Sequence, residues 1–330
     1  MPLTRRHCMH AGALSLLLLP RLAGAQTAVK GHRVGILRPS APPLSPTDPI
    51  AVGIPNALRD AGYVEGRNLV IERRWAAGEL DRLPALAREL VQAGVDVIIA
   101  VGAPAVQAAK AATSTLPIVL YGNFDPLALG LVDSLARPAG NVTGVLIAPD
   151  GTLAGKRLEL LKAAVPTARR FALLVPEEES IRVQVQETRA AAQQLGLELP
   201  IAVVRGSDYV GAFGTIARER VAGLIVGSHQ YFVRDRAQII TLAAQYKLPA
   251  MYEWREQVVD GGLMTYSTSL NGLYQRVAAY VDRILKGARP GDLPVERPTK
   301  FEFVINLKTA KALGLTIPQA LRLRADEVIE

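Results

Sequence analysis

The sequence is nearly without cysteine and is poor in histidine, and each shortage removes a class of function. The single cysteine, Cys8, lies within the first 25 residues, so the remaining chain has no disulfide and no thiolate chemistry. Beyond that segment the histidines are His32 and His229, too few imidazole ligands for a zinc site when no thiolate remains. We therefore expect no bound metal.

Motifs for cofactors and nucleophiles are also missing. No Gly-x-Gly-x-x-Gly follows a strand pattern, and the sequence contains neither a Walker-type Gly-Lys-Ser/Thr nor a Gly-x-Ser-x-Gly elbow. No pair of carboxylates stands out from solvated helix faces. We expect no cofactor and no catalysis. An exported α/β enzyme stays open as an alternative, which a catalytic carboxylate pair in a cleft would favour.

Dense basic patches and long apolar runs are absent as well. The formal charge of +8 includes Arg5, Arg6 and Arg21, and no run of Lys and Arg is interleaved with aromatics. A nucleic-acid partner is therefore not expected. No apolar run after residue 25 is long enough for a transmembrane helix of about 20 residues.

The first 25 residues have the order of a secretory signal. Arg5 and Arg6 precede an apolar run from Ala11 to Leu19, followed by Pro20 and by Ala23-Gly24-Ala25. A basic region, a short apolar region and a small-x-small site in this order are typical of a cleavable signal peptide. We predict a signal peptide over residues 1–25 and a periplasmic location.

Two details of the signal refine this prediction. A lipoprotein signal carries its cysteine just after the apolar run, whereas Cys8 precedes it, so we expect no stable membrane anchor. Thr4-Arg5-Arg6 leaves twin-arginine export open beside the ordinary Sec route.

Strand and helix patterns alternate through the remaining chain of about 305 residues. Helices of 10–15 residues between short apolar strands indicate βαβ units with parallel sheets, and the length favours two lobes. The predicted strands are Val34–Leu37, Asn68–Arg73, Val95–Val101, Ile118–Tyr121, Phe171–Val175, Glu198–Val203, Gly223–Val226, Pro249–Met251 and Leu263–Tyr266.

Candidate ligand-binding residues follow from the strand ends, because ligands of open α/β sheets lie beyond the carboxyl ends of the strands. The helix start at Pro104 is suited to a carboxylate, and Asp125 and Glu253 are candidates to pair an ammonium group. Aromatic residues near the later strand ends would form apolar walls. The candidates of this kind are Ser40, Gly102, Ala103, Asn123, Asp125, Ser228, Tyr252 and Glu253.

Purely structural roles are open for the same residues. Gly102 and Gly122 are also expected in tight turns, and Asp125 before a proline is also expected as a helix cap. His229 fits a hydrogen-bonded loop histidine, and the aromatics fit packing within a lobe.

Long phrases of the chain resemble a known family. They run from Leu58 to Val145, from Gly155 to Pro166, from Ala278 to Pro318 and from Arg324 to Glu330. They are similar to the ABC-transporter substrate-binding proteins of the tryptophan/tyrosine-binding type, over nearly all of the chain after residue 25. The resemblance implies a periplasmic binding protein type I fold: an α/β fold with two Rossmann-like lobes, parallel sheets and a three-crossover hinge.

The resemblance also implies domain limits and a cleft. Residues 26–145 with 267–298 would form the N-terminal lobe, and 146–266 with 299–330 the C-terminal lobe. By position, the family's cleft would use the strand-end residues named above and Tyr266. This chain departs from many relatives at Phe124, where they have Thr or Gly, and in the proline-rich stretch 39–47.

The sequence therefore predicts a monomeric solute-binding protein of an ABC importer. It would capture a small-molecule ligand, a zwitterion such as an aromatic or branched-chain amino acid, close over it and dock on the permease transmembrane subunits. A binding protein that feeds a sensor kinase or chemoreceptor is an open alternative. A sugar-responsive repressor shares the core, but it needs a DNA-binding domain where this chain has the export signal.

Overall fold

A computed structural model of the chain describes residues 31–42, 49–147, 152–177 and 181–330; the predicted signal peptide lies outside these ranges. The strands within the described ranges are β1 His32–Arg38, β2 Leu69–Trp75, β3 Val97–Val101, β4 Ile118–Gly122, β5 Val142–Leu146, β6 Ala172–Pro176, β7 Ile201–Val204, β8 Leu224–Val226, β9 Ala250–Tyr252, β10 Met264–Ser267, β11 Val295–Glu296, β12 Glu302–Asn306 and β13 Glu327–Ile329.

Helices alternate with these strands. Short 3-10 turns also occur at Leu80–Arg82 and Pro290–Asp292. The α-helices of the described ranges are α1 Pro49–Asp60, α2 Leu83–Gln92, α3 Ala103–Ala112, α4 Thr152–Ala164, α5 Arg182–Gln194, α6 Tyr209–Arg218, α7 Gln230–Arg234, α8 Arg236–Gln245, α9 Arg255–Val259, α10 Leu270–Leu285, α11 Leu307–Ala312 and α12 Gln319–Arg322.

The first sheet has six strands in the order β11-β5-β4-β3-β1-β2, and all of its paired strands are parallel. The apolar run of β3 is buried on both faces, as its composition indicates. Val97 and Ile99 pack with residues of α1 and α10, and Ile98 and Ala100 with residues of α2 and α3. This sheet and its helices are the first lobe.

The second sheet has seven strands in the order β13-β12-β10-β9-β8-β6-β7. Its pairs are parallel except β10 with β12. Leu173 and Val175 of β6 pack with residues of α4 on one face, and Ala172 and Leu174 pack with residues of α6 and α8 on the other. This sheet and its helices are the second lobe.

The chain passes between the two lobes three times: from β5 to α4, from β10 to α10, and from β11 to β12. Helix α10 follows a strand of the second sheet, yet its buried residues Leu273, Tyr274 and Val277 pack in the first lobe. The predicted two-lobed α/β class is confirmed. The residue limits of the two domains stay a prediction.

Local details differ from the sequence prediction. The residue pattern by itself predicts one helix from Arg234 to Tyr246, whereas the structure has α7 and α8 with Asp235 between them. Asp235 accepts hydrogen bonds from Arg234 (2.6 Å) and from the Tyr209 hydroxyl (2.6 Å), so side-chain contacts from another helix fix this break. Helix α9, of five residues, is too short to show a full helical period.

Candidate functional site

The strand order of each sheet reverses once, at β1 in the first sheet and at β6 in the second. In the first sheet β1 lies between β2 and β3, and in the second sheet β6 lies between β7 and β8. Crevices at such reversal points are the usual ligand sites of open α/β sheets. Ser40 follows β1 and Gly102 follows β3, while Ser228 follows β8.

The two lobes contact each other near these strand ends. Trp254 and Val233 of the second lobe belong to the hydrophobic cluster that contains Tyr121 and Tyr274 of the first lobe. Trp254 is 4% exposed. A Cβ added at Gly78, just after β2, would lie 3.0 Å from the Tyr231 hydroxyl oxygen of the second lobe. The lobes therefore meet through side chains that follow β8 and β9.

Charged groups of both lobes affect the pKa of Tyr121, at the end of β4. Burial raises the pKa of the Tyr121 hydroxyl, and Tyr274, Glu253 and Glu256 raise it further, while Arg38 opposes them. Arg38 is buried and its guanidinium lies 5.4 Å from the centre of the Trp75 ring. The charge of Glu253, in the second lobe, therefore raises the pKa of a tyrosine in the first lobe.

In the first lobe, backbone geometry shapes the candidate loops. Gly102 has a φ of +82° and donates its N–H to the Tyr121 carbonyl (2.8 Å) as α3 begins. A Cβ at Gly122 would lie 2.8 Å from the Phe124 ring and 3.2 Å from the Gly102 Cα. Both glycines are therefore required by close approach or by a left-handed backbone. Ala103 is half-buried in the first turn of α3.

The loop after β4 holds its own acidic residue. Asp125 is exposed, and its Oδ1 accepts hydrogen bonds from the N–H groups of Leu127 (2.9 Å) and Ala128 (3.1 Å). Asn123 is also exposed. Asp125 therefore closes a turn at residues 126–130, and it is not the helix cap that was its alternative, because no helix begins there. Its role toward a ligand stays a prediction.

Ser40 is the most buried polar residue among the first-lobe candidates. It is 6% exposed, and its carbonyl accepts a hydrogen bond from the Ala77 N–H (3.1 Å). The neighbouring Pro39 carbonyl accepts one from the Gly78 N–H (2.7 Å). These bonds join the loop after β1 to the turn after β2, which faces Tyr231.

In the second lobe, a buried arginine connects the candidate residues. Arg157 of α4 is 8% exposed. Its Nε donates to the Tyr266 carbonyl (2.8 Å), and its Nη1 donates to the Ser228 Oγ (3.1 Å). The Ser228 N–H donates in turn to Gln184 Oε1 (3.1 Å). One guanidinium therefore links the ends of β8 and β10.

Glu253, which directly follows β9, is 5% exposed. Burial raises the pKa of the Glu253 carboxyl, while the charge of Arg157, a hydrogen bond from Ser228 and the nearby His229 lower it. Burial also lowers the pKa of Arg157, and Glu253 opposes that change. The two charges therefore stabilise each other's ionised form in a buried site.

The Glu253 backbone is held by buried neighbours. Gln257 Oε1 accepts from the N–H groups of Glu253 (3.2 Å) and Trp254 (2.9 Å). The Thr265 hydroxyl, with its single hydrogen, lies within hydrogen-bonding distance of the carbonyls of Tyr252 (3.0 Å) and Glu253 (2.9 Å) and donates to one of them or is shared between them. The loop after β9 is thus fixed by side chains of α9 and β10.

The aromatic candidates occupy different positions. Tyr252 is 1% exposed and belongs to the second-lobe core with Tyr209, Phe213 and Phe232. Tyr266 is half-buried, and its ring stacks on Phe301 with centroids 5.7 Å apart. His229 accepts the Tyr231 N–H at Nδ1 (3.4 Å), with its ring 4.6 Å from that of Tyr231. His229 therefore has the loop-histidine contact that was its structural alternative.

Arg157 was missed by reasoning from strand ends because it lies on a helix. It is 71 residues from Ser228 and 109 from Tyr266 in sequence. A signal was present, since Arg157 lies among the apolar residues Leu153, Leu158 and Leu161 of α4. A charged residue on the apolar face of a helix requires buried partners.

Two further observations concern the described residues as a whole. Within them, no group of three or more His, Cys, Asp or Glu side chains is arranged to hold a metal ion. Across the same ranges, no helix combines the length and the apolar character needed to cross a membrane.

Comparison with known proteins assigns the family. The model of the family described as ABC transporter substrate binding protein matches residues 45–329. The chain therefore belongs to the ABC transporter substrate-binding proteins, and the resemblance stated from sequence phrases is confirmed.

Individual relatives agree with this assignment. The chain is 28% identical over 264 residues to a "Tyrosine-binding protein" of Clostridioides difficile (strain R20291), covering 80% of this chain and 76% of the relative. A solved ABC domain from Streptococcus pneumoniae in complex with L-Trp has a TM-score of 0.77 and 27% identity, covering 91% of this chain and 100% of that one. A conserved domain protein from Vibrio cholerae has a TM-score of 0.79 and 28% identity, with the same coverage. The periplasmic binding protein type I fold is thereby confirmed.

Proposed function

We propose that this chain is the solute-binding component of an ABC importer and that its ligand is an amino acid with an aromatic or branched side chain. The family assignment supports the general role. The names of two relatives, a tyrosine-binding protein and a domain in complex with L-Trp, support the ligand class. We propose that the protein catalyses no reaction and works as a monomer.

The observation that carries the proposal is the buried carboxyl of Glu253 at the lobe boundary. It is 5% exposed, the charge of Arg157 lowers its pKa, and its own charge raises the pKa of Tyr121 of the opposite lobe. A carboxylate in such a site pairs well with an ammonium group. The start of α3, at Gly102 and Ala103, would receive the ligand carboxylate, because helix N-termini attract anions.

The proposed site uses residues of both lobes. From the first lobe we assign Ser40, Gly102, Ala103, Asn123 and Asp125, and from the second Ser228, Glu253 and Tyr266. The Tyr252 side chain packs in the second-lobe core, so at the end of β9 we assign the ligand contact to Glu253.

Binding would proceed by closure of the two lobes about the three connections. A ligand shifts the balance between open and closed forms only through its higher affinity for the closed form. The closed form would then dock on the permease transmembrane subunits. We propose that this happens in the periplasm after removal of residues 1–25, with residues 26–145 and 267–298 as one lobe and 146–266 and 299–330 as the other.

Isothermal calorimetry against a panel of the twenty amino acids tests the ligand class. The protein is first unfolded and refolded to remove any ligand that purifies with it. We expect binding of at least one aromatic or branched-chain amino acid at micromolar concentration, and a decrease in the radius of gyration by solution scattering on addition of that ligand. Absence of heat for every amino acid at millimolar concentration would contradict the proposal.

A further inference from the structure

We propose that Arg157 is a positioning residue that assembles the second-lobe half of the ligand site without contacting the ligand. Its guanidinium hydrogen bonds to the Ser228 hydroxyl and to the Tyr266 carbonyl, and so fixes the ends of β8 and β10, which lie beside Glu253 at the end of β9. This inference rests on the proposed function, because it concerns the same ligand site. It can nevertheless be tested on the ligand-free protein.

The first step is the anchoring of two strand ends by one side chain. Arg157 donates Nε to the Tyr266 carbonyl (2.8 Å) and Nη1 to the Ser228 Oγ (3.1 Å). The guanidinium presents five N–H donors in a rigid plane, so it can satisfy two separate acceptors at once. The relative positions of the β8 and β10 ends are therefore set by a residue of α4.

The second step is the direction of the Ser228 hydroxyl. Because its Oγ accepts a hydrogen bond from Arg157, the Ser228 hydroxyl can donate its own hydrogen only away from the guanidinium. The Ser228 hydroxyl is also one of the groups that lower the pKa of the Glu253 carboxyl. Arg157 therefore orients a hydroxyl that favours the ionised form of Glu253.

The third step is electrostatic. Besides Ser228, three groups lower the pKa of the Glu253 carboxyl. They are the charges of Arg157 on α4 and His229 after β8, and a hydrogen bond from Trp254. The charge of Glu253 also raises the pKa of Tyr121 in the first lobe, as does that of Glu256, while Arg38 lowers it. Burial raises the pKa of the Glu253 carboxyl, and among the groups that lower it Arg157 has the largest effect.

The affinity for an amino-acid ligand should therefore depend on pH. A ligand that carries an ammonium group binds to Glu253 only in the carboxylate form. Its affinity should fall as the pH falls through the Glu253 pKa. Loss of Arg157 should move that fall toward neutral pH, because the carboxyl would then be buried without its principal counter-charge.

The test is the titration of Glu253 in the ligand-free protein. Carbon NMR of protein with 13C-labelled glutamate carboxyls follows the midpoint, and Glu253→Gln identifies the resonance. In Arg157→Met we expect an upward shift of the Glu253 midpoint. Arg170→Met is the matched control, because Arg170 pairs with Glu198 and Glu219 and has no contact with Glu253.

Ser228→Ala keeps the proposal falsifiable if Arg157→Met fails to fold, as judged by circular dichroism. This variant removes the hydrogen bond to the ionised carboxyl, so the midpoint should again move upward. An unchanged midpoint in a folded Arg157→Met, or in Ser228→Ala where Arg157→Met does not fold, would overturn the inference. Calorimetry with amino acids tests the proposed function separately, so the two can fail independently.

Discussion

The first-lobe half of the proposed cleft is shaped by backbone, whereas the second-lobe half is organised by buried side chains. In the first lobe, Gly102 and Gly122 permit close approach of two loops, and Asp125 is bound to its own loop. In the second lobe, the Arg157 guanidinium binds the Tyr266 carbonyl and the Ser228 hydroxyl, which lie at the ends of two different strands. In the proposed cleft, backbone conformation therefore defines the first-lobe side, and buried charged side chains define the second-lobe side.

The largest expected effect separates the two acidic candidates. Glu253→Gln should weaken binding of an amino-acid ligand roughly 100-fold, or about 2.7 kcal/mol, because loss of one partner of a buried charge pair costs about 2–5 kcal/mol. Asp125→Asn should change the affinity by less than about 3-fold, since Asn retains the Oδ1 that accepts the loop hydrogen bonds and an exposed charge contributes little. Calorimetry on both variants measures the ratio, and equal losses would contradict the comparison.

The next effect is on stability and concerns the first lobe. Gly122→Ala should lower the free energy of unfolding by roughly 1–3 kcal/mol, because the new Cβ would meet the Phe124 ring and the Gly102 Cα. Gly140→Ala is the control, since a Cβ there meets nothing within 4 Å. Urea denaturation measures both. A Gly122→Ala protein as stable as the control would show that the loops can move apart.

The smallest effect is dependent on pH and concerns Glu256 of the second lobe. Its Oε2 is buried and has no hydrogen-bond partner, and burial raises the pKa of this carboxyl. A carboxyl whose pKa is higher in the folded state contributes stability below its unfolded value of about 4.3, and that stability is lost as the pH rises through the folded value.

Glu256→Gln should therefore stabilise the protein at pH 7 to 8 by about 1 kcal/mol, and the gain should vanish near pH 4. Thermal melts of the wild type and the variant across this range provide the measurement. If the gain in stability is the same at all pH values, it arises from packing and not from the charge of Glu256, and the prediction is wrong.

The fold was largely predictable because its signals are local. Continuous apolar runs such as Val97–Val101 mark strands buried on two faces, and amphipathic helices such as Leu83–Gln92 mark the covering layers. The break at Asp235 was not predictable because it depends on contact with Tyr209 of another helix, and the helix Arg255–Val259 was not predictable because five residues are too few to show a helical period.

The candidate site was predictable in part for the same reason. Topology places Ser40, Ser228 and Glu253 at the carboxyl ends of strands, and the sequence shows where strands end. It does not show which helix residue is buried against those ends. The role of Arg157 depends on the packing of α4 beneath β8 and β10, so it became visible only with the fold.

The most direct test of the central claim is a crystal structure of the protein with its bound amino acid. The account predicts the ligand ammonium within about 3 Å of a Glu253 carboxylate oxygen, with Arg157 still bonded to Ser228 and Tyr266 and not touching the ligand. A ligand whose ammonium group lies at Asp125, with Glu253 left without a ligand contact, would contradict it.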